Sequence, residues 1–446
     1  MVNTGFSYSL DEIKQMSQDV LKLAKKQGAS AAEAEVSLSM GQNVSVRLHE
    51  VENIEYNRDK GLSVTVFFGQ QKGHASTSDL SLTALQDTVV AACDIAKYTA
   101  KDAYCGLADA ELMATDVPDL QLHHAWPISV DEAIVMARDC EAAAFAVDKR
   151  ITNSEGANVS TGEGYFAYSN SHGFTGGYPS SRHGISCSVI AEAGDSMQRD
   201  YWYSTARAAS DLQSADDIGR IAGERTLRRL HSRKIRTCQV PVLFEAPLAS
   251  GLIGTLINAI SGGSLYRKSS FLLDSLGTKI ASPLLNIVED PHLAKGLASS
   301  PFDSEGVATK ARQLVKDGVL QGYVLGSYSA RKLGMQSTGN AGGNHNLLVQ
   351  SGPNDFAGLL KQMGTGLLVT ELLGSGVNAV TGDYSRGVAG FWVENGESVH
   401  AVEEITIAGN MRDMLQAIVG IGSDVLVQGS KQVGSILIER MTVACE

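Results

Sequence analysis

The chain has 446 residues and a formal net charge of -12, a length that predicts two or three domains, each able to bury its own core. No run of Lys and Arg is longer than a pair such as Arg228-Arg229, which disfavours direct nucleic-acid binding, because phosphate contacts need clustered positive charge. Six cysteines without a CxxC pair, a polar start over residues 1–10 with no leader, and no apolar run of the ~20 residues that a membrane helix needs predict a reduced, cytoplasmic protein without a membrane span.

In chain order, Ser9-Leu10-Asp11-Glu12 is a capping box, and Ile13, Met16, Val20, Leu23 and Ala24 follow at helical spacing until Gly28. Strict alternation then predicts strands over 34–38, 44–48 and 62–66, broken at Gly41, at 57–60 and at 69–73. A second helix fits 82–98, with Leu85, Val89, Ala92 and Ala96 on one face. Pro118 and Pro127 bracket a loop with His123 and His124, and Ser129 to Glu132 caps a third helix ending near Val147. The Gly-rich stretch 156–184 reads as short strands and turns, leading to a hairpin of 185–192 with 197–207. A fourth helix starts near Ser214. The basic segment 233–237 marks a boundary, giving domains 1–235 and 236–446. The second half opens on a helix over 247–260 and then becomes rich in Gly, Ser and Thr, with short strands such as 318–325 and 366–372. Helices alternating with meanders point to an α+β fold, an N-terminal helix-and-meander domain followed by a β-rich one.

The most specific stretch is TGDYSRGVAGFWVENG, residues 381–396. Its Gly- and Asp-rich turn carries Asp383 and Arg386 three apart, for which a local ion pair is the expectation. An apolar strand around Phe391 to Val393 then closes on the hairpin signal Asn395-Gly396. Other polar runs flanked by glycine are SGGSLYRKSSFLLDSLG (261–277), GLASSPFDSEGV (296–307), GSYSARKLG (326–334) and EITIAGNMRDM (404–414). With Glu52 to Asn57, these runs closely resemble the TldD/PmbA family of bacterial metallopeptidase subunits, over essentially the whole chain.

No G-x-S-x-G elbow, Walker loop or G-x-G-x-x-G cradle is present. The resemblance implies zinc chemistry, yet the TldD subunits of the family hold zinc through a helical H-E-x-x-x-H pair and a later cysteine, and this chain has no such pair. His49-Glu50, the one His-Glu dipeptide, falls on a predicted strand. The helix before the YRKS run carries Asn258 and Ser261 but no histidine. His172, His183 and His345 stand alone in Gly- or Asn-rich loops. The resemblance therefore implies a subunit without its own metal, paired with a TldD-type subunit that carries the zinc, the two enclosing a cleft for extended peptides. Whether the chain forms a homodimer in isolation stays open.

Candidate contacts are Tyr266, Arg267 and Lys268, whose cations suit a carboxylate or a partner's acidic edge, together with Asp383 and Arg386. Asp303 and Glu305 suit an acid and base or a capped turn equally. Arg331 and Lys332 carry a weaker signal. Two further readings stay distinct: a metallopeptidase with dispersed ligands, and a non-proteolytic regulator of DNA gyrase or another assembly, a role that comes with the resemblance alone.

Overall fold

The computed structural model describes residues 5–445; residues 1–4, part of the polar start, lie outside the described residues. In the first half, α1 (Leu10–Lys26) precedes β1 (Ala31–Arg47), β2 (Glu50–Phe68) and β3 (Gln71–Thr77). Next come α2 (Leu82–Tyr98), α3 (Val130–Phe145), β4 (Ile151–Asn170), β5 (Thr175–Ala193), β6 (Ser196–Ala206) and α4 (Ala215–Arg228). Ser9 and Ser129 close capping boxes with Glu12 and Glu132, and Ser81 and Ser214 cap α2 and α4. Each hydroxyl accepts an N–H that the first helical turn leaves free, so these four helices begin where the sequence predicts.

The six strands form one antiparallel sheet in the order β3-β2-β1-β4-β5-β6. They are longer than periodicity suggested. β1 runs through Gly41, β2 runs through 57–60, and the Gly-rich 156–184 stretch lies mostly within two strands of 20 and 19 residues. Gly41 pairs with Asn57 on one side and Gly162 on the other, and a Cβ there would come 2.6 Å from the Asn57 side chain. Glycine here permits close approach inside a strand instead of ending it. The real turn is Leu48-His49, both left-handed with φ of 50° and 65°, so His49 is not on a strand. Glu141, fully buried on α3, accepts the backbone N–H groups of both turn residues at 2.9 and 2.7 Å.

The pleat sorts β1 into two faces. Ala32, Ala34, Val36 and Leu38 pack under α1 and α2, while Val44 and Val46 on the same face pack under α3 and α4. All four helices therefore cover one side of the sheet.

The second half contains β7 (Cys238–Phe244), α5 (Ala246–Ala259), α6 (Gly262–Tyr266), β8 (Ile287–Asp290), β9 (Arg312–Lys316), β10 (Val319–Leu320), α7 (Ser327–Lys332), β11 (Asn346–Val349) and α8 (Phe356–Met363). It continues with β12 (Gly366–Leu373), β13 (Asp383–Glu394), β14 (Glu397–Asn410), α9 (Met411–Gln416), β15 (Ile418–Ile421), β16 (Lys431–Gln432) and β17 (Ile436–Cys445). The strand expected over 318–325 shrinks to β10, beyond which the chain turns to satisfy Arg312 through the Tyr323 carbonyl. Pairings β7-β12-β13-β14-β17-β7 close a ring, and β8 to β11 with β16 make a smaller sheet. Val242, Phe244 and Val369 pack with α5 and that smaller sheet, whereas their neighbours Leu243 and Leu368 pack under α8. The fold is α+β. Among the described residues no helix is long and apolar enough to cross a membrane.

An ion cluster on α4 ties the halves together. Arg225 holds Glu245, between β7 and α5, with two bonds of 2.8 and 3.1 Å. Its Nε faces Asp200 at 3.4 Å, a charge contact too poorly aligned for a hydrogen bond. Arg229 reaches Asp200 at 3.6 Å and bonds Glu371 of β12. The Asp200 side chain is 3% exposed and that of Arg225 10%. Arg225→Ala leaves these carboxylates short of a partner in low dielectric, and should lower the unfolding free energy of the full chain by about 3–5 kcal/mol in urea titration. A loss below about 1 kcal/mol would show that solvent screens the cluster.

Candidate functional site

The helix-free face of the N-terminal sheet is a groove of about 1260 Å³. Register builds its floor in rows. Glu55, Asn43, Ser160, Gly184 and Thr205 lie side by side across five strands, as do Asn57, Gly41, Gly162 and Arg182 in the next row. Alternation that puts Ala, Val and Leu under the helices puts Ser, Gly and Asn here. Gln428 of the second half closes one end by donating to the Tyr203 carbonyl at 2.8 Å. This surface offers hydroxyls, amides, the Glu55 carboxylate and the guanidinium groups of Arg182 and Arg207. It is built to hydrogen-bond, and periodicity did contain it: Ser37, Ser39, Gly41, Asn43 and Ser45 form a period-two polar row that sequence reasoning passed over.

Behind the floor, the loop bracketed by Pro118 and Pro127 crosses the gap between the helix pairs. His123 pairs with Glu163 at 2.7 Å. His183 lies on β5, not in a loop. Its Nε2 donates to the His124 carbonyl at 2.8 Å, so its Nδ1 accepts from Thr161 at 2.8 Å, and burial lowers its pKa. These histidines are tied into packing.

The sequence-predicted contacts fall in two places. Tyr266 ends α6, Arg267 stacks its guanidinium 5.3 Å from the Tyr266 ring, and Lys268 turns the chain with φ 55°. The Tyr266 ring meets Tyr328 edge-on at 5.8 Å. Tyr328 donates to Asp102 at 2.7 Å, and Lys332 lies 4.3 Å over Tyr104. Arg331, rated weak from sequence, anchors the 104–109 loop through the Gly106 and Leu107 carbonyls and Asp109. Its partners lie more than 220 positions away, beyond the reach of local spacing.

Asp383 and Arg386 sit on β13, and they do not pair. Three apart on a strand, their side chains leave opposite faces. Asp383 accepts from Thr381 at 2.6 Å and from Asn410 at 3.1 Å, and these bonds lower its pKa. Arg386 donates to the Gly374 carbonyl instead. The hairpin itself stands, with Asn395 and Gly396 both left-handed at φ 53° and 79° between β13 and β14.

Asp303 and Glu305 form a capped turn. Asp303 accepts the N–H groups of Glu305, Val307 and Ala341 at 2.9, 3.0 and 2.9 Å, while Glu305 accepts from Ser327 N–H at 2.9 Å. Where the resemblance places a zinc-binding helix, α5 turns Leu252, Ile253, Leu256 and Ile257 into the core, and its polar residues are Ser250, Thr255 and Asn258. Among the described residues no three His, Cys, Asp or Glu side chains gather as a metal would require.

Comparison with known proteins gives three consecutive family matches: PmbA/TldA metallopeptidase domain 1 over residues 32–96, the central domain over 123–230 and the C-terminal domain over 237–445. The Escherichia coli O157:H7 protein called metalloprotease PmbA is 52% identical over 416 residues, 93% of this chain and 92% of that one. A crystal structure from Bacteroides thetaiotaomicron, described as a candidate modulator of DNA gyrase, superposes with a TM-score of 0.93 at 30% identity, covering 98% of this chain and 99% of that one. A Haemophilus influenzae protein called a metalloprotease TldD homolog is 27% identical over 192 residues, 40% of each chain.

Asp303 gives a pH signature. Burial outweighs its three N–H donors and pushes its pKa up to about 7, from 3.8. A raised folded pKa means that the folded state holds the proton longer, so the stability from this group is complete below about pH 4 and is lost as pH rises through about 7. Unfolding free energy measured from pH 4 to 8 should carry that falling component, and Asp303→Asn should remove it. An unchanged pH profile in the variant would contradict the assignment.

Proposed function

The chain belongs to the PmbA/TldD metallopeptidase family, and from that premise we propose that it is the metal-free subunit, of the type called PmbA or TldE, of a two-subunit cytoplasmic peptidase. A TldD-type subunit supplies the zinc, and extended peptides are the substrate class. Within this reading the chain divides into domains 1–235 and 236–446.

The observation that carries the proposal is α5. A catalytic zinc needs three protein ligands and an open position, and the helix where the resemblance places the zinc site turns leucines and isoleucines into the core and carries no His, Cys, Asp or Glu. The residues present do not fit a catalytic zinc, so no catalytic step is assigned to this chain. Its part in the reaction is to bind and confine peptide. A groove floored by Ser, Gly and Asn suits unfolded backbone, whose amide groups repeat regardless of sequence.

Cleavage of a flexible peptide, measured with the purified chain alone and then mixed with a TldD-type protein, zinc being present in both, tests the proposal. Activity is expected in the mixture, beyond that of the TldD-type protein alone, and not from this chain by itself. Chelator-sensitive cleavage by the chain alone would overturn the reading and favour a site assembled from dispersed ligands.

A further inference from the structure

We infer that the outer edge of β2 over residues 53–61 is a strand-addition site for an extended peptide carrying basic residues at alternate positions. This goes beyond the peptidase reading and stands whether or not a zinc-bearing partner exists.

β2 lies between β1 and β3, but β3 pairs only with residues 62–68. Residues 53–61 pair with β1 alone, on their inner side. Among the described residues no other strand pairs with their outward backbone groups. Every residue from 50 to 60 is exposed, with Ile54 at 41% and Tyr56 at 68%. Long bare edges invite pairing, and proteins usually shorten, bulge or cover them. Here the bulge lies at the Ser45/Val46 step of the register, so the nine residues beyond it run regularly to Gly61. A peptide antiparallel to β2 would lie in line with β3 and continue its row.

The two faces of this edge differ in charge. Asn53, Glu55, Asn57 and Asp59 share the groove face with Ser45, Asn43, Gly41 and Ser39; Ile54, Tyr56, Arg58 and Lys60 share the other with Val44, Gln42, Met40 and Leu38. The groove face is thus acidic, and the other is apolar, then basic. Asn53 donates to Glu55 at 2.9 Å, which holds that exposed carboxylate on the groove face. Arg58 also bonds the Gly5 carbonyl. Opposite-charge pairs across neighbouring strands stabilise a sheet and like pairs oppose it. The fitting strand therefore places Lys or Arg on the groove face and apolar or acidic residues on the other, while backbone bonds supply most of the affinity.

Binding of fluorescent peptides to the intact chain, followed by anisotropy without any cleavage, tests this. A peptide alternating Lys with Ile and Glu should bind about fivefold to tenfold more tightly than a scrambled peptide of the same composition, since alternation sets which face each charge meets. N-methylation at every second residue should abolish binding in one phase and spare it in the other, because only one edge of the peptide pairs. Glu55→Lys with Asp59→Lys, both on the exposed edge, should reverse the preference towards alternating acidic peptides. Equal binding of ordered and scrambled peptides would show mere attraction to a chain of charge -12 and overturn the inference. So would an unchanged preference in the double variant, or sedimentation showing that a second copy of the chain occupies this edge and excludes peptide.

Discussion

Strand register in the N-terminal sheet is the constraint on which the rest depends. Successive side chains alternate faces, so a one-residue slip anywhere would exchange Ala, Val and Leu for Ser, Gly and Asn beneath the helices. The helix pairs hold that register by burying Val36, Val44 and Val159 on one side. The groove is what remains on the other. Its rows are as regular as the core because the same pairings create both, and glycines at 41, 162 and 184 let the floor lie close to neighbouring backbone and side chains.

The C-terminal half answers a different demand. Its closed ring of strands removes most free edges, and its largest apolar cluster absorbs the apolar face of α5. Burial of that helix face is the observation on which the proposed metal-free role rests. The α4 arginines then fix the ring against the long sheet: Glu245 follows directly on β7 and Glu371 lies on β12, so two ring strands are held to one helix. On the proposed reading, peptide contact falls to the sheet's open face and its bare edge, both in the first half.

Much of this was legible in the sequence, for identifiable reasons. The helices of the first half announced themselves because Ser9, Ser129 and Ser214 cap locally, within three residues, and because Leu85, Val89, Ala92 and Ala96 repeat at helical spacing. The Asn395-Gly396 turn did so because left-handed backbone favours those two residues. Strand lengths were misread because glycine within β1, β4 and β5 permits close packing, and the same residue more often marks a turn. The Asp383–Arg386 pairing failed because charge spacing says nothing until the segment is known to be a strand. Arg331 looked weak because its partners are remote in sequence, and the groove was hidden because a row of Ser, Gly and Asn becomes a surface only when five strands align.

On the proposed reading this family member contributes structure and peptide contact but no zinc. Zinc content settles it most directly: metal analysis of the purified chain, and of the chain purified with a TldD-type protein, both after dialysis in zinc. Metal that tracks the TldD-type subunit alone is the predicted result. Stoichiometric, tightly held zinc in this chain by itself would contradict it.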